Sequence, residues 1–264
     1  MTKLLARLLR SPQCAQTRFD AKLRCFVRDL GGKATKPRRC RGLTPAIRKA
    51  FPVPVLPACS RCKATRASSG KRRTPGCLGA SDIKHGLLVD RQLSLCAQLG
   101  FEQFSKRFEA KKVDPCVRNI LQHIYRVKRW RLVAAQVPIW SDRLQVATAI
   151  DLLCTDAATR TELHLIELKA SRHAYDDSHC YQRARGFSTK RGLKQRLPLS
   201  FHTQHQVQLW AMQSTLADEI GVRPTSALVL RAIGPGVQEF PLWSAVVRNA
   251  GAVAERLRVR VRRK

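Results

Sequence analysis

Two short apolar runs near the middle of this chain each hold a carboxylate where a hydrophobic side chain is expected. One is Ala149-Ile150-Asp151-Leu152-Leu153. The other is Leu165-Ile166-Glu167-Leu168, which ends in Lys169 and places Glu167 sixteen residues after Asp151. Runs of this kind predict β-strands. An acid inside one needs a partner, a proton or a metal, because burying a bare charge is costly. Alternate side chains of a strand share a face, so Glu167 and Lys169 point the same way while Leu168 points into the core. Two carboxylates on adjacent strands make a hard, oxygen-rich site suited to Mg²⁺. A lysine on the same face can hold or help deprotonate a water beside that metal. The competing reading is plainer: solvated carboxylates and a lysine at strand ends.

Periodicity extends the frame around these runs. The strands are predicted over Gln145–Cys154 and Glu162–Ala170, joined by the polar turn 155–161. A helix is expected from Gly86 to Leu99, with Leu88, Leu95 and Leu99 on one side. A second runs from Pro115 to Val127, with Asp114 as N-cap and Val117, Ile120, Leu121, Ile124 and Val127 as its apolar stripe. Trp130–Trp140 is the first strand. Thr203–Ile220 is a helix, Ser226–Ile233 a fourth strand, and Pro241–Leu257 a last helix.

The D…ExK pattern at the ends of two strands resembles the PD-(D/E)XK nuclease superfamily. That superfamily includes restriction endonucleases, RecB-like nuclease domains and lambda-exonuclease-like enzymes. Gln206-Val207-Gln208-Leu209-Trp210 is similar to the Q-x-x-x-Y element that the last two groups carry on a helix after the core strands, with Trp210 in the tyrosine's place. The resemblance covers roughly residues 82–257. It implies an α/β fold with a restriction-endonuclease-like core, a mixed central sheet flanked by helices. It implies Mg²⁺ (or Mn²⁺ in its place) held by Asp151 and Glu167, with Lys169 orienting or activating a water. Gln206 would bind the substrate strand, with Gln208 as the alternative if the register is displaced. Asp90 matches the position at which RecB-like members hold metal from the first helix. Glu102 and Glu109 compete for that role. Trp210 would face nucleic acid. So would the basic residues Arg183, Arg185, Lys190, Arg191 and Lys194 between the third strand and the glutamine helix, where Tyr175 and Tyr181 could stack on bases.

Composition bears on partners. The chain has 264 residues, with 50 Lys and Arg against 18 Asp and Glu, a net charge of +32. Residues 1–80 carry +18 of this and the rest +14. Such a chain binds polyanions, and nucleic acid is the obvious one: DNA is the expected partner, with RNA not excluded. No run of eighteen apolar residues is present, so no membrane helix is expected. Residues 1–80 read as a basic, mostly disordered arm, and 81–264 as the nuclease-like domain. The clusters Lys36-Pro37-Arg38-Arg39-Cys40-Arg41 and Lys71-Arg72-Arg73 point to the nucleus. The acid-free start, with Leu4, Leu5, Leu8 and Leu9 among Lys3, Arg7 and Arg10, points instead to the mitochondrion.

Ten cysteines are scattered along the chain, which argues against a disulfide framework. Cys59 and Cys62 form a C-x-x-C, with Cys77 downstream and Cys40 or His85 as further candidates. Together they are a zinc candidate that lacks the second C-x-x-C of a convincing knuckle. Thiols in a disordered arm are the alternative. The whole reads as a Mg²⁺-dependent, exonuclease-like DNA nuclease that processes ends in replication, recombination or repair, in a virus or an organelle among other settings. The alternative is a non-catalytic, basic DNA-binding or packaging protein on a degenerate nuclease fold.

Overall fold

The computed structural model describes residues 3–20, 25–29, 38–51, 80–109, 112–170, 197, 200–233 and 236–258. Its elements run α1 (Lys3–Arg10), α2 (Pro12–Ala15), β1 (Thr17–Asp20), β2 (Cys25–Arg28), β3 (Arg38–Cys40), α3 (Leu43–Ala50), α4 (Ala80–Leu99), α5 (Phe101–Arg107) and α6 (Pro115–Gln122). There follow β4 (Trp130–Ser141), β5 (Val146–Asp156), β6 (Leu163–Ala170), α7 (Phe201–Ser214), β7 (Ser226–Ile233), β8 (Gly236–Pro241), α8 (Ser244–Arg248) and α9 (Ala250–Leu257).

Strands β4 to β8 form one mixed sheet in sequence order. Only β6 and β7 are parallel; the other neighbours are antiparallel. A parallel pair needs a crossover, and α7 lies within it. The protein is thus a mixed α/β fold, a five-stranded mixed sheet flanked by helices.

Each sheet face has its own core. On one, Val89, Leu93 and Cys96 of α4, Phe104 of α5, and Val117, Ile120 and Leu121 of α6 pack against Leu152, Cys154, Ile166, Leu168, Leu228 and Leu230. On the other, Leu209 and Met212 of α7 and Leu5 and Leu8 of α1 meet Val137, Ile139, Ile150, Leu153, Leu165 and Val229. Because β5 and β6 are covered on both faces, they read as continuous apolar runs rather than alternating ones.

The expected disordered arm is corrected over its described part. Leu5 and Leu8 of α1 are buried, and so are Leu43, Ala46, Ile47 and Phe51 in and after α3. The latter group packs with Val207 and Trp210 of α7 and Leu257 of α9. Polar bonds reinforce the docking: Arg28 Nη1 donates to Asp142 Oδ1 at 2.6 Å, Ala147 N to Arg41 O at 2.8 Å, and Gln204 Nε2 to Phe51 O at 2.7 Å. A high density of Lys and Arg conceals an apolar stripe here, because long basic side chains can stand on the outer face of a buried element.

Three smaller expectations also change. The buried stripe of α4 is Val89, Leu93 and Cys96, one residue out of phase with the predicted one, and Leu88 is 45% exposed. In α6 the N-cap is as expected, with Asp114 Oδ1 accepting from Cys116 N at 2.8 Å. Its continuation His123–Val127 widens into a π-helical turn, which rotates Val127 off the stripe and leaves it 64% exposed. The predicted helix from Pro241 is two short helices, preceded by an edge strand, β8, that pairs with β7.

Candidate active site

Strands β5 and β6 pair only from Leu152↔Ile166 to Thr155↔Leu163. Beyond Leu152, β5 continues along β4 while β6 continues along β7. The two strands therefore part, and the next residue on each side of the opening is Asp151 and Glu167. Asp151 Oδ2 accepts from Leu168 N at 2.8 Å, which closes the first gap in the ladder with a side chain. Glu167 is fully buried. Its Oε1 accepts from Lys169 Nζ, while Oε2 has no hydrogen-bond partner among the described residues.

The electrostatics follow from this crowding. Burial, and then the charge of Asp151, push the Glu167 carboxyl up to about 8. Burial also raises Asp151, against the pull of Lys169, the Leu168 N–H and Gln136. Burial alone would lower Lys169, but the Glu167 and Asp151 carboxylates outweigh it and hold the ammonium above its ordinary value. Two acids and one base at an apolar fork are one net charge out of balance. Burial and mutual repulsion thus bias the carboxyl pair towards holding a proton.

Three further elements converge here. Asp90 of α4 is raised to about 6, by burial first and then by Asp151, with Lys169 opposing. Its carboxyl thus shares the field of the pair. Gln136 of β4 donates from Nε2 to Asp151 Oδ1 at 3.2 Å. It has φ 52°, inside a strand, where a non-glycine residue in the left-handed region is strained. His205 of α7 is held far below its ordinary value, by burial and then by the charges of Lys169, His202, Arg231 and Arg48. It is therefore neutral at physiological pH. Arg231 of β7 is buried and stands opposite Lys169 in the β6–β7 register. Sequence reasoning missed Gln136, His205 and Arg231. A buried arginine in the apolar run Ala227-Leu228-Val229-Leu230 was the available signal for the last; a histidine between two glutamines was a weak one for His205.

Other predicted residues lie elsewhere. Gln206 is buried, but its amide serves the connection after β8: Nε2 donates to Pro241 O at 3.3 Å, and Oε1 accepts from Trp243 N at 2.9 Å. One residue back on the helix, His205 lies in the field of Lys169. Gln208 is buried. Trp210 packs in the α3–α7–α9 core, with the Arg143 guanidinium 5.6 Å from its ring centroid, so its ring does not face the fork. Glu102 and Glu109 are exposed, and Glu109 pairs with Lys112 at 3.4 Å. His123 bonds Glu239 at 2.7 Å near Lys128. Cys40 packs beside Trp140 and Ala147, and His85 bonds Asp114 at 3.1 Å. Arg183, Arg185, Lys190, Arg191, Lys194, Tyr175 and Tyr181 lie outside the described residues, as do Cys59, Cys62 and Cys77.

The chain matches no protein-family model and no curated protein. The site is thus characterised by its own chemistry. At the fork stand the carboxylates of Asp151 and Glu167, one oxygen of Glu167 buried without a partner among the described residues, with the Lys169 ammonium beside them. Asp90 lies in their field, but the three acids do not bring an oxygen each within 4.8 Å of one another. Such a donor set fits a hard divalent cation of the Mg²⁺ type.

Proposed function

We propose that this protein is a Mg²⁺-dependent DNA nuclease of exonuclease-like character, built on a restriction-endonuclease-like core and acting on DNA ends. The observation that carries the reading is that Asp151 and Glu167, the latter bonded by Lys169, stand together where β5 and β6 part, with Asp90 of α4 in their field. A structural ion pair alone would not call for a third carboxyl in the same field, nor for a buried carboxylate oxygen without a partner.

Asp151 and Glu167 would hold the metal, with Asp90 as the third oxygen donor. Mg²⁺ supplies Lewis-acid polarisation of a phosphoryl oxygen and lowers the pKa of a water. Lys169 donates from Nζ, and in this role it would hold the attacking water and offset charge that builds on the phosphate. Arg231, beside it in register, adds a second fixed positive charge to the same wall. Gln136 fixes the Asp151 carboxylate, so that the cation meets a preset ligand. The net charge of +32 favours encounter with any polyanion, and supplies affinity rather than chemistry.

The test is cleavage of linear DNA, circular DNA and RNA by the full chain, with Mg²⁺ or Mn²⁺ and with chelator. Metal-dependent loss of linear DNA, abolished by Glu167→Gln, is the expected result. A chain that binds DNA tightly yet cleaves nothing under any divalent metal would be a packaging protein instead.

A further inference from the structure

A second cluster lies away from the fork, where the start of α4 meets the start of α6. We infer that His85, Asp114 and Cys116 form a zinc site that ties these two helices together. One ligand atom from each lies within 4.8 Å of the others, and His85 Nε2 is 3.1 Å from Asp114 Oδ2. Zinc bonds of about 2.0–2.3 Å in tetrahedral array place donor atoms roughly 3.3–3.8 Å apart. Small side-chain adjustments bring the three atoms to that spacing.

The backbone already sets up the carboxylate. Asp114 Oδ1 caps α6 through Cys116 N at 2.8 Å, which leaves Oδ2 turned towards His85. Gln92, two turns along α4 from His85, accepts from Asp114 N at 2.9 Å and donates to Lys112 O at 3.1 Å. That bracket pins the 112–114 segment to α4 and orients the ligand from behind, as outer partners of metal sites do. The His85 and Asp114 side chains are 12% and 11% exposed, sheltered but within reach of an ion. Imidazole and thiolate favour zinc over Mg²⁺, whereas the fork offers oxygen donors, so the two sites sort different metals. Three protein ligands leave the fourth position to water.

The consequence is mechanical. His85 and Asp90 are on one helix, five residues apart. A metal that joins α4 to α6 would hold that helix, and with it Asp90, in place beside the fork. The site itself stands apart from the nuclease reading, because it uses none of the same residues.

Titrating the metal-free full chain with Co²⁺, a spectroscopic substitute for zinc, tests this. One equivalent should give a thiolate-to-cobalt charge-transfer band, and zinc should displace it. Cys116→Ser should abolish the band, and Gln92→Ala should weaken binding about tenfold. Glu167→Gln, Cys59→Ser, Cys62→Ser and Cys77→Ser should each leave it in place. A band that survives Cys116→Ser, or vanishes with Cys59→Ser, overturns the proposal. So does the absence of any band in the wild type, in which case His85–Asp114 is a plain hydrogen-bonded pair. A second measurement needs no variant: zinc should slow alkylation of Cys116 by a thiol reagent, read by peptide mass spectrometry. An unchanged rate for Cys116 overturns the assignment.

Discussion

The β5–β6 pair has two ends, and they treat carboxylates in opposite ways. At the closed end, Asp156 begins the turn. Its oxygens accept from the backbone N–H groups of Arg160 at 2.8 Å, Thr161 at 3.0 Å and Glu162 at 2.9 Å, and from the Thr159 hydroxyl at 2.6 Å. Those donors hold its carboxyl well below the ordinary range. At the open end, Asp151 and Glu167 crowd together in an apolar setting, with the Glu167 carboxyl pushed up to about 8. One end is solved for folding. The other is left electrostatically unsolved, and that is the arrangement a cation-dependent site needs.

The strongest way to break this contrast is at Glu167. Glu167→Gln should reduce metal-dependent cleavage by a thousandfold or more, about 4 kcal/mol, while raising the melting temperature of the metal-free protein. If the variant cleaves normally, or melts earlier, the open end is not the site. Next in size is Lys169→Ala, which should cost about 10²–10³ in kcat and leave Mg²⁺ binding, measured by calorimetry, largely intact.

The pH dependence separates the two ends by sign. Asp90, Asp151 and Glu167 all have folded-state pKa values raised above their unfolded ones. Their contribution is fully present below about pH 4 and is lost as pH rises towards about 8. Asp156 has a depressed value, so its contribution is present above about pH 4 and is lost on acidification. His205, held neutral by burial, gives the opposite slope below about pH 6.5. Metal-free melting temperatures should therefore fall between about pH 6.5 and pH 8, and Mg²⁺ should flatten that fall. In Asp156→Ala the neutral-pH melting temperature should drop while kcat stays unchanged. The smallest effect is expected at Gln136→Gly, where relief of the left-handed backbone offsets the lost bond to Asp151. Stability should change little, with cleavage slowed about tenfold.

Much of this was legible along the chain. Strands β5 and β6 were readable because both faces are covered, which leaves largely apolar runs whose charged interruptions, before the turn, are Asp151, Glu167 and Lys169. The start of α6 was readable because Asp114-Pro115 is local capping chemistry. The phase of α4 was not, because Leu87 and Leu88 are as apolar as Val89 and only packing decides which residue is buried. The N-terminal elements were hidden by charge density, and β8 by its short, half-exposed edge pattern.

The sequence by itself placed two acids and a lysine within apolar strand-forming runs, since strand periodicity and the cost of burying charge are local matters. Tertiary structure alone decided which groups would meet them. The α7 residue in the field of Lys169 is His205, whereas Gln206 bonds Pro241 and Trp243. Gln136 reaches Asp151 only through a left-handed kink that no pattern announces. Contacts between residues far apart in the chain are set by how the layers pack, and neither periodicity nor propensity carries that information.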